Sequence, residues 1–211
     1  MGGIVAMSST INASTASGGG VITTADASGI LQLQTAGTTA LTIDASQNVT
    51  FAKSILTSAT AQASTSGTSI DFTGIPSWVK RITVMLGNVS LSGTSNILIQ
   101  IGSGSVTSSG YTSASTIAGS TNNAYGLSST AGYIVNIGSG AVNVYSGIAT
   151  ISLLSGTTWI KAGSGALTNN TFGECGGGIS PALSGALDRV RITTVNGTDT
   201  FDAGSINIMY E

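Results

Sequence analysis

In Arg81-Ile82-Thr83-Val84-Met85-Leu86, apolar side chains at 82, 84 and 86 alternate with Arg81 and Thr83. A period of two puts successive side chains on opposite faces of a strand. Comparable short runs recur at Asn96 to Ile101, Tyr133 to Ile137, Val142 to Tyr145, Ala149 to Leu153, Thr157 to Lys161, Arg189 to Thr193 and Ser205 to Tyr210. Strands of this length separated by Gly/Ser/Asn turns predict an all-β domain from Thr68 to Glu211, built as a β-sandwich or jelly roll.

Two of these runs echo each other. Ile97 to Val106 (ILIQIGSGSV) and Tyr133 to Val142 (YIVNIGSGAV) align without gaps, and a third Gly-Ser-Gly stands at 163 to 165. A phosphate cradle would need a following helix and a lysine. The flanks are strands here, so these segments are expected to be hairpin turns.

Upstream the texture changes. Residues 54–67 are dominated by Ser, Thr and Ala and predict a linker. Residues 21–53 carry minimal strands such as Ile30-Leu31-Gln32-Leu33-Gln34, Ala40-Leu41-Thr42-Ile43 and Asn48-Val49-Thr50-Phe51, with matching turns at Asp26-Ala27-Ser28-Gly29 and Asp44-Ala45-Ser46-Gln47. The Asp can accept from its own backbone two residues on, which pins the turn. One such ribbon cannot enclose a core, so several copies must wrap together as a short interwoven β shaft. Residues 1–20 end in Ser17-Gly18-Gly19-Gly20 and predict an attachment arm, whose apolar residues cluster at Ile4, Val5 and Met7. Such a terminus does not order itself, so another surface is expected to hold it.

Charge is scarce. Six Lys and Arg and eight Asp and Glu residues make 7% of the chain, there is no histidine, and the net charge is -2. An average soluble domain carries about 25% charged residues, so conventional acid, base and metal chemistry has few groups to use. With 41% hydrophobic residues the chain is nevertheless expected to fold. The scattered basic residues exclude a phosphate-tracking surface, so no nucleic-acid partner is expected. Met1 to Gly20 lacks the apolar run of a signal peptide or membrane span, which predicts assembly in a cytoplasm without membrane insertion. Cys175 has no partner for a disulfide and no imidazole to activate it, and its Gly-rich surroundings, 173–178, predict an inert residue in a loop.

Further residues carry a resemblance. The run Ile70-Asp71-Phe72-Thr73-Gly74-Ile75-Pro76-Ser77-Trp78-Val79-Lys80-Arg81-Ile82-Thr83-Val84, the ending Asp188-Arg189-Val190-Arg191-Ile192-Thr193 with Asp199-Thr200-Phe201-Asp202, and the stretch Leu31 to Phe51 resemble tail fibre and related appendage proteins of tailed bacteriophages. The likeness spans about residues 21–211, and the Pro-Ser-Trp segment is its most specific part. It implies a virion surface protein, a homotrimer, located on tail or head. It implies no catalytic residues.

Function follows as an expectation. Some phage fibres hydrolyse glycans with paired carboxylates, and Asp199, Asp202, Asp188 and Glu174 are the candidates, but the long solenoid repeats and aromatic groove of such enzymes are missing. A calcium site at Asp199 and Asp202 would lack most of the six to eight oxygens that ion collects. No enzyme activity, metal or cofactor is therefore expected. Trp78 and Trp159 are assigned to packing in the core or between subunits. Tyr111 and Tyr125, in polar loops with Asn122 and Asn123, have the composition of adaptable recognition loops and are the candidate contacts for a host surface glycan or protein. Segments 107–126 and 162–180 are the candidate tips, and the arm is expected to dock on other virion proteins. A head fibre or capsid decoration protein with a purely structural role is the alternative, and a polysaccharide depolymerase the third.

Overall fold

The computed structural model describes residues 9–13, 21–24, 27–52, 55–119, 124–169 and 172–211. The protein is all-β, with no helix among the described residues. It divides into two compact units, Met1–Ile55 and Leu56–Glu211.

The first unit is a five-stranded sheet of β1 (Ser9–Ala13), β2 (Val21–Thr24), β3 (Leu31–Thr35), β4 (Thr38–Ile43) and β5 (Val49–Phe51), in the order β2-β1-β3-β4-β5. The β1 to β3 pairing is parallel and the others are antiparallel. Strand β1 lies inside the segment expected to be an arm, so 1–20 is not wholly outside regular structure. Ile4, Val5 and Met7 lie outside the described residues. The turn at Asp44 forms as expected: Oδ1 accepts from the Ser46 and Asn48 amides, both at 2.9 Å, and Oδ2 from Asn48 Nδ2 at 3.0 Å. These donors, Asn48 foremost, hold the Asp44 carboxyl below its ordinary range. No described side chain of residues 27–52 is buried, and Val49 and Phe51 are about half exposed.

The second unit comprises β6 (Thr57–Ser58), β7 (Gln62–Ala63), β8 (Ser69–Thr73), β9 (Arg81–Leu91), β10 (Ile97–Ser103), β11 (Ser105–Val106), β12 (Thr112–Gly119), β13 (Ala124–Ser129), β14 (Tyr133–Val135), β15 (Tyr145–Ser155), β16 (Thr158–Leu167), β17 (Phe172–Ile179), β18 (Arg189–Thr194) and β19 (Phe201–Tyr210). A five-stranded sheet runs β11-β10-β18-β8, with β14 also on β10; a nine-stranded sheet runs β13-β12-β17-β16-β15-β9-β19-β6, with β7 also on β19. One apolar core draws on both: Ile82, Val84, Ile151, Ile206 and Ile208 from the larger sheet, Ile70, Phe72, Ile99, Val190 and Ile192 from the smaller. Each fully buried aliphatic side chain contributes about 1.5–3 kcal/mol relative to its exposed state.

Local features follow from local chemistry. Strand β9 alternates as read, with Ile82 and Val84 fully buried. Both faces of β10 are covered, because Gln100 Nε2 donates to Ala131 O at 2.8 Å and holds the 131–132 segment over Leu98 and Gln100. Across β18 and β8, Arg191 sits opposite Asp71 and grips both carboxylate oxygens at 2.7 and 2.9 Å.

Several expectations are corrected. The segment 54–67 is not simply a linker: β6 and β7 pair with β19, and Ser64 is fully buried with its hydroxyl donating to Ala203 O at 2.8 Å. Val142 to Tyr145 and Ala149 to Leu153 are not two strands, since the first is mostly loop and the second belongs to the long β15. Of the three Gly-Ser-Gly segments, only 102–104 turns a hairpin, joining β10 to β11 with Gly104 at φ +71°. The second lies in the 136–144 loop and the third inside β16. Cys175 is on a strand, β17, with an exposed side chain.

Candidate functional site

The register of the larger sheet brings several strand ends together at one end. Gly119 stands opposite Phe172, and Tyr145 opposite Leu167, so the end of β12, the start of β17, the end of β16 and the start of β15 lie at the end of the sheet that carries the 136–144 loop. The expected tips 107–126 and 162–180 are mostly strand, in β12, β13, β16 and β17.

A cavity of about 570 Å³ opens there, within the size range of ligand sites. It is lined by Ile117, Leu127, Leu167 and Phe172 on its apolar side and by Tyr125, Asn136, Ser139 and Asn143 on its polar side. The loop is held open by its own amides. Asn136 Nδ2 donates to Tyr125 O at 2.9 Å and its Oδ1 accepts from the Gly138 amide at 3.0 Å, while Asn143 Nδ2 donates to Ile137 O at 2.7 Å. Gly138 has φ +71°, and a Cβ there would stand 2.9 Å from Asn143 Nδ2, so glycine is needed for both backbone and space. Tyr125 is 57% exposed, and its hydroxyl has no hydrogen bond among the described residues. The lining carries no formal charge.

Beneath this loop lies a buried polar layer. Ser115 Oγ accepts from the Asn136 amide at 3.1 Å and donates to Glu174 Oε1 at 2.6 Å; Tyr145 OH donates to Glu174 Oε2 at 2.8 Å. Burial first, and the adjacent carboxylate second, push the Tyr145 phenol far above its ordinary range, so it remains a donor. Room for the Tyr145 ring comes from Gly147 and Gly165, where any Cβ would collide with it. Lys161 is 3% exposed, and among the described residues its Nζ hydrogen-bonds only to Gly176 O, at 3.4 Å.

Burial holds Lys161 below its ordinary pKa, with Glu174 pulling the other way. The sign follows. Below the folded-state value the buried ammonium destabilises the protein, and the cost fades as pH rises from there to the unfolded 10.5. Because Glu174 keeps its Ser115 and Tyr145 hydroxyl donors when the ammonium is removed, Lys161→Met is expected to raise the Tm at pH 7 by roughly 2–4 °C per kcal/mol gained, with the difference from wild type shrinking at alkaline pH. Thermal melts of both proteins across pH 7 to about 10 check this, and a lower Tm for the variant at pH 7 would contradict it.

Of the expected contact residues, only Tyr125 lines the cavity. Tyr111 is corrected: it is 1% exposed, its hydroxyl accepts from the Ile101 amide at 3.0 Å and faces Thr107 O at 3.1 Å, and its ring meets Tyr133 edge-on at 5.0 Å between centroids. Burial pushes its phenol up to about 12. Asn122 and Asn123 lie outside the described residues. The expected carboxylates each hold a partner of their own: Asp199 accepts from the Ser95 amide at 2.9 Å, Asp202 from Ser90 Oγ, and Asp188 holds Arg189 at 2.7 Å. Among the described residues no three His, Cys, Asp or Glu gather as metal ligands. Trp159 is core, whereas Trp78 is 53% exposed beside Tyr210. Asn136 and Asn143 were missed. Asn136 stands where Gln100 stands in the echoed copy, and both residues hold a loop with a side-chain amide.

Comparison with family models, with characterised proteins and with solved structures returns no match.

Proposed function

We propose that this chain is a virion surface protein of the tail fibre or spike kind that binds a host-surface glycan and catalyses nothing. In this reading the second unit is a distal β-sandwich. The first contributes one ribbon to a homotrimeric shaft, and the N-terminal segment docks on other virion proteins. The uncharged cavity with its exposed Tyr125 ring carries the proposal. A sugar offers apolar ring faces and neutral hydroxyls, which suit an aromatic flanked by amides and a hydroxyl better than they suit ionised groups. The unburied apolar residues of the first unit, Val49 and Phe51 among them, support the shaft, since other chains would cover them.

The purified protein is expected to label host cells and compete with phage attachment. Tyr125→Ala should weaken that binding by about tenfold or more, as a central aromatic contact does, while leaving the unfolding transition unchanged. If the wild-type protein neither labels cells nor competes, a structural head fibre or decoration role replaces this reading. Shortened surface polysaccharide after incubation would instead point to a depolymerase.

A further inference from the structure

The smaller sheet covers one face of the nine-stranded sheet. On the other face, Asn207, Met85, Ile148, Ser164, Cys175 and Thr116 stand in one cross-strand row from β19 to β12. In a parallel row Ile160 faces Ile179. The exposure of Ile148, Ile160 and Ile179 is 53%, 41% and 38%. A groove of about 510 Å³ lined by Met85, Gly87, Ile148 and Asn207 opens on the same face. Among the described residues, charge touches this face only at its ends, at Arg81 paired with Glu211 and at Asp202.

We propose that this face is the contact between copies of the second unit, so that Cys175 becomes enclosed on assembly. The proposal rests on the homo-oligomer part of the reading above. Six strands about 4.8 Å apart, each presenting roughly seven residues at about 3.4 Å, offer roughly 700 Å², close to the about 800 Å² per partner of a stable interface. Exposed isoleucines among Ala, Ser, Thr and Gly let the sheets of neighbouring copies approach closely around a shared symmetry axis. A neutral face meets its own copy without like-charge repulsion. A charged partner would find nothing to pair with, and a sugar would find no aromatic on these rows.

Cys175 is the chain's only cysteine, so a maleimide reports on this face alone. In the native full-length protein, labelling is expected to be at least about tenfold slower than in urea, because it must wait for the interface to open. Ile148→Lys combined with Ile160→Lys should restore fast labelling; if that pair fails to fold, Thr150→Arg on the same face serves instead. Light scattering is run in parallel. Fast native labelling of a protein with oligomer mass overturns the assigned face and leaves the oligomer standing. A monomer mass overturns both, and leaves the face to a different protein. Equal protection in wild type and a folded variant also overturns the proposal, because the thiol is then shielded elsewhere.

Discussion

Glu174→Ala is expected to destabilise the second unit by about 3–5 kcal/mol, the cost of removing one partner from a buried charged network. Folded domains hold only about 5–15 kcal/mol in total, so the variant should unfold at much lower urea or be recovered as aggregate. Three losses combine. Ser115 and Tyr145 each lose the acceptor of a buried hydroxyl, and Lys161 loses the charge that partly offsets its burial. The loss extends to the candidate site, because Ser115 also receives the Asn136 amide that anchors the cavity loop. Glu174→Gln keeps one acceptor oxygen and the shape, and should cost about 1–3 kcal/mol, the penalty of one mismatched buried polar group. Urea midpoints for the two variants test the order. If Glu174→Ala melts with wild type, the carboxylate is not part of the buried network.

Tyr111→Ala is expected to cost about 3–5 kcal/mol, as for other fully buried aromatics. It would leave a cavity beside Tyr133 and an orphaned Ile101 amide. Tyr111→Phe should cost about 1–3 kcal/mol, because the Ile101 amide loses its acceptor and the Thr107 carbonyl its hydroxyl donor. Neither substitution touches the cavity lining, so the surviving folded fraction should bind host cells like wild type. Loss of binding by a well-folded Tyr111→Phe protein would return Tyr111 to the recognition surface.

The contrast between Tyr111 and Tyr125 shows how far local sequence reaches. Both sit among Ser, Thr, Gly and Asn, yet one is buried and the other half exposed. Tyr111 is drawn in by β10, whose Ile101 amide it caps from ten residues away. Composition around a residue does not encode which distant strand lies beside it. The same limit hid β12, β13 and β17. Their Ser, Gly and Ala residues match turn chemistry, yet they are strands because Gly176 and Gly178 let β17 lie close against Ser115 and Ser113 of β12. Glu174 likewise gives no local sign of burial, since its partners are 29 and 59 residues away.

Where a strand buries one face in an apolar core, its period-two alternation was enough. Arg81 to Leu86, Arg189 to Thr193 and Ser205 to Tyr210 are strands as read, because Ile82, Val84, Val190, Ile192, Ile206 and Ile208 needed a shared interior. The Asp44 turn was equally legible, its hydrogen bonds spanning four residues at most. Scarcity of charge was visible in composition alone. The folded chain added the pairing order, the gathering of residues from β12, β13, β16, β17 and the 136–144 loop around one cavity, and the commitment of each carboxylate to its own partner. Those depend on contacts between residues far apart in the chain, and on whether a neighbouring backbone leaves room for a Cβ, neither of which a stretch of sequence carries.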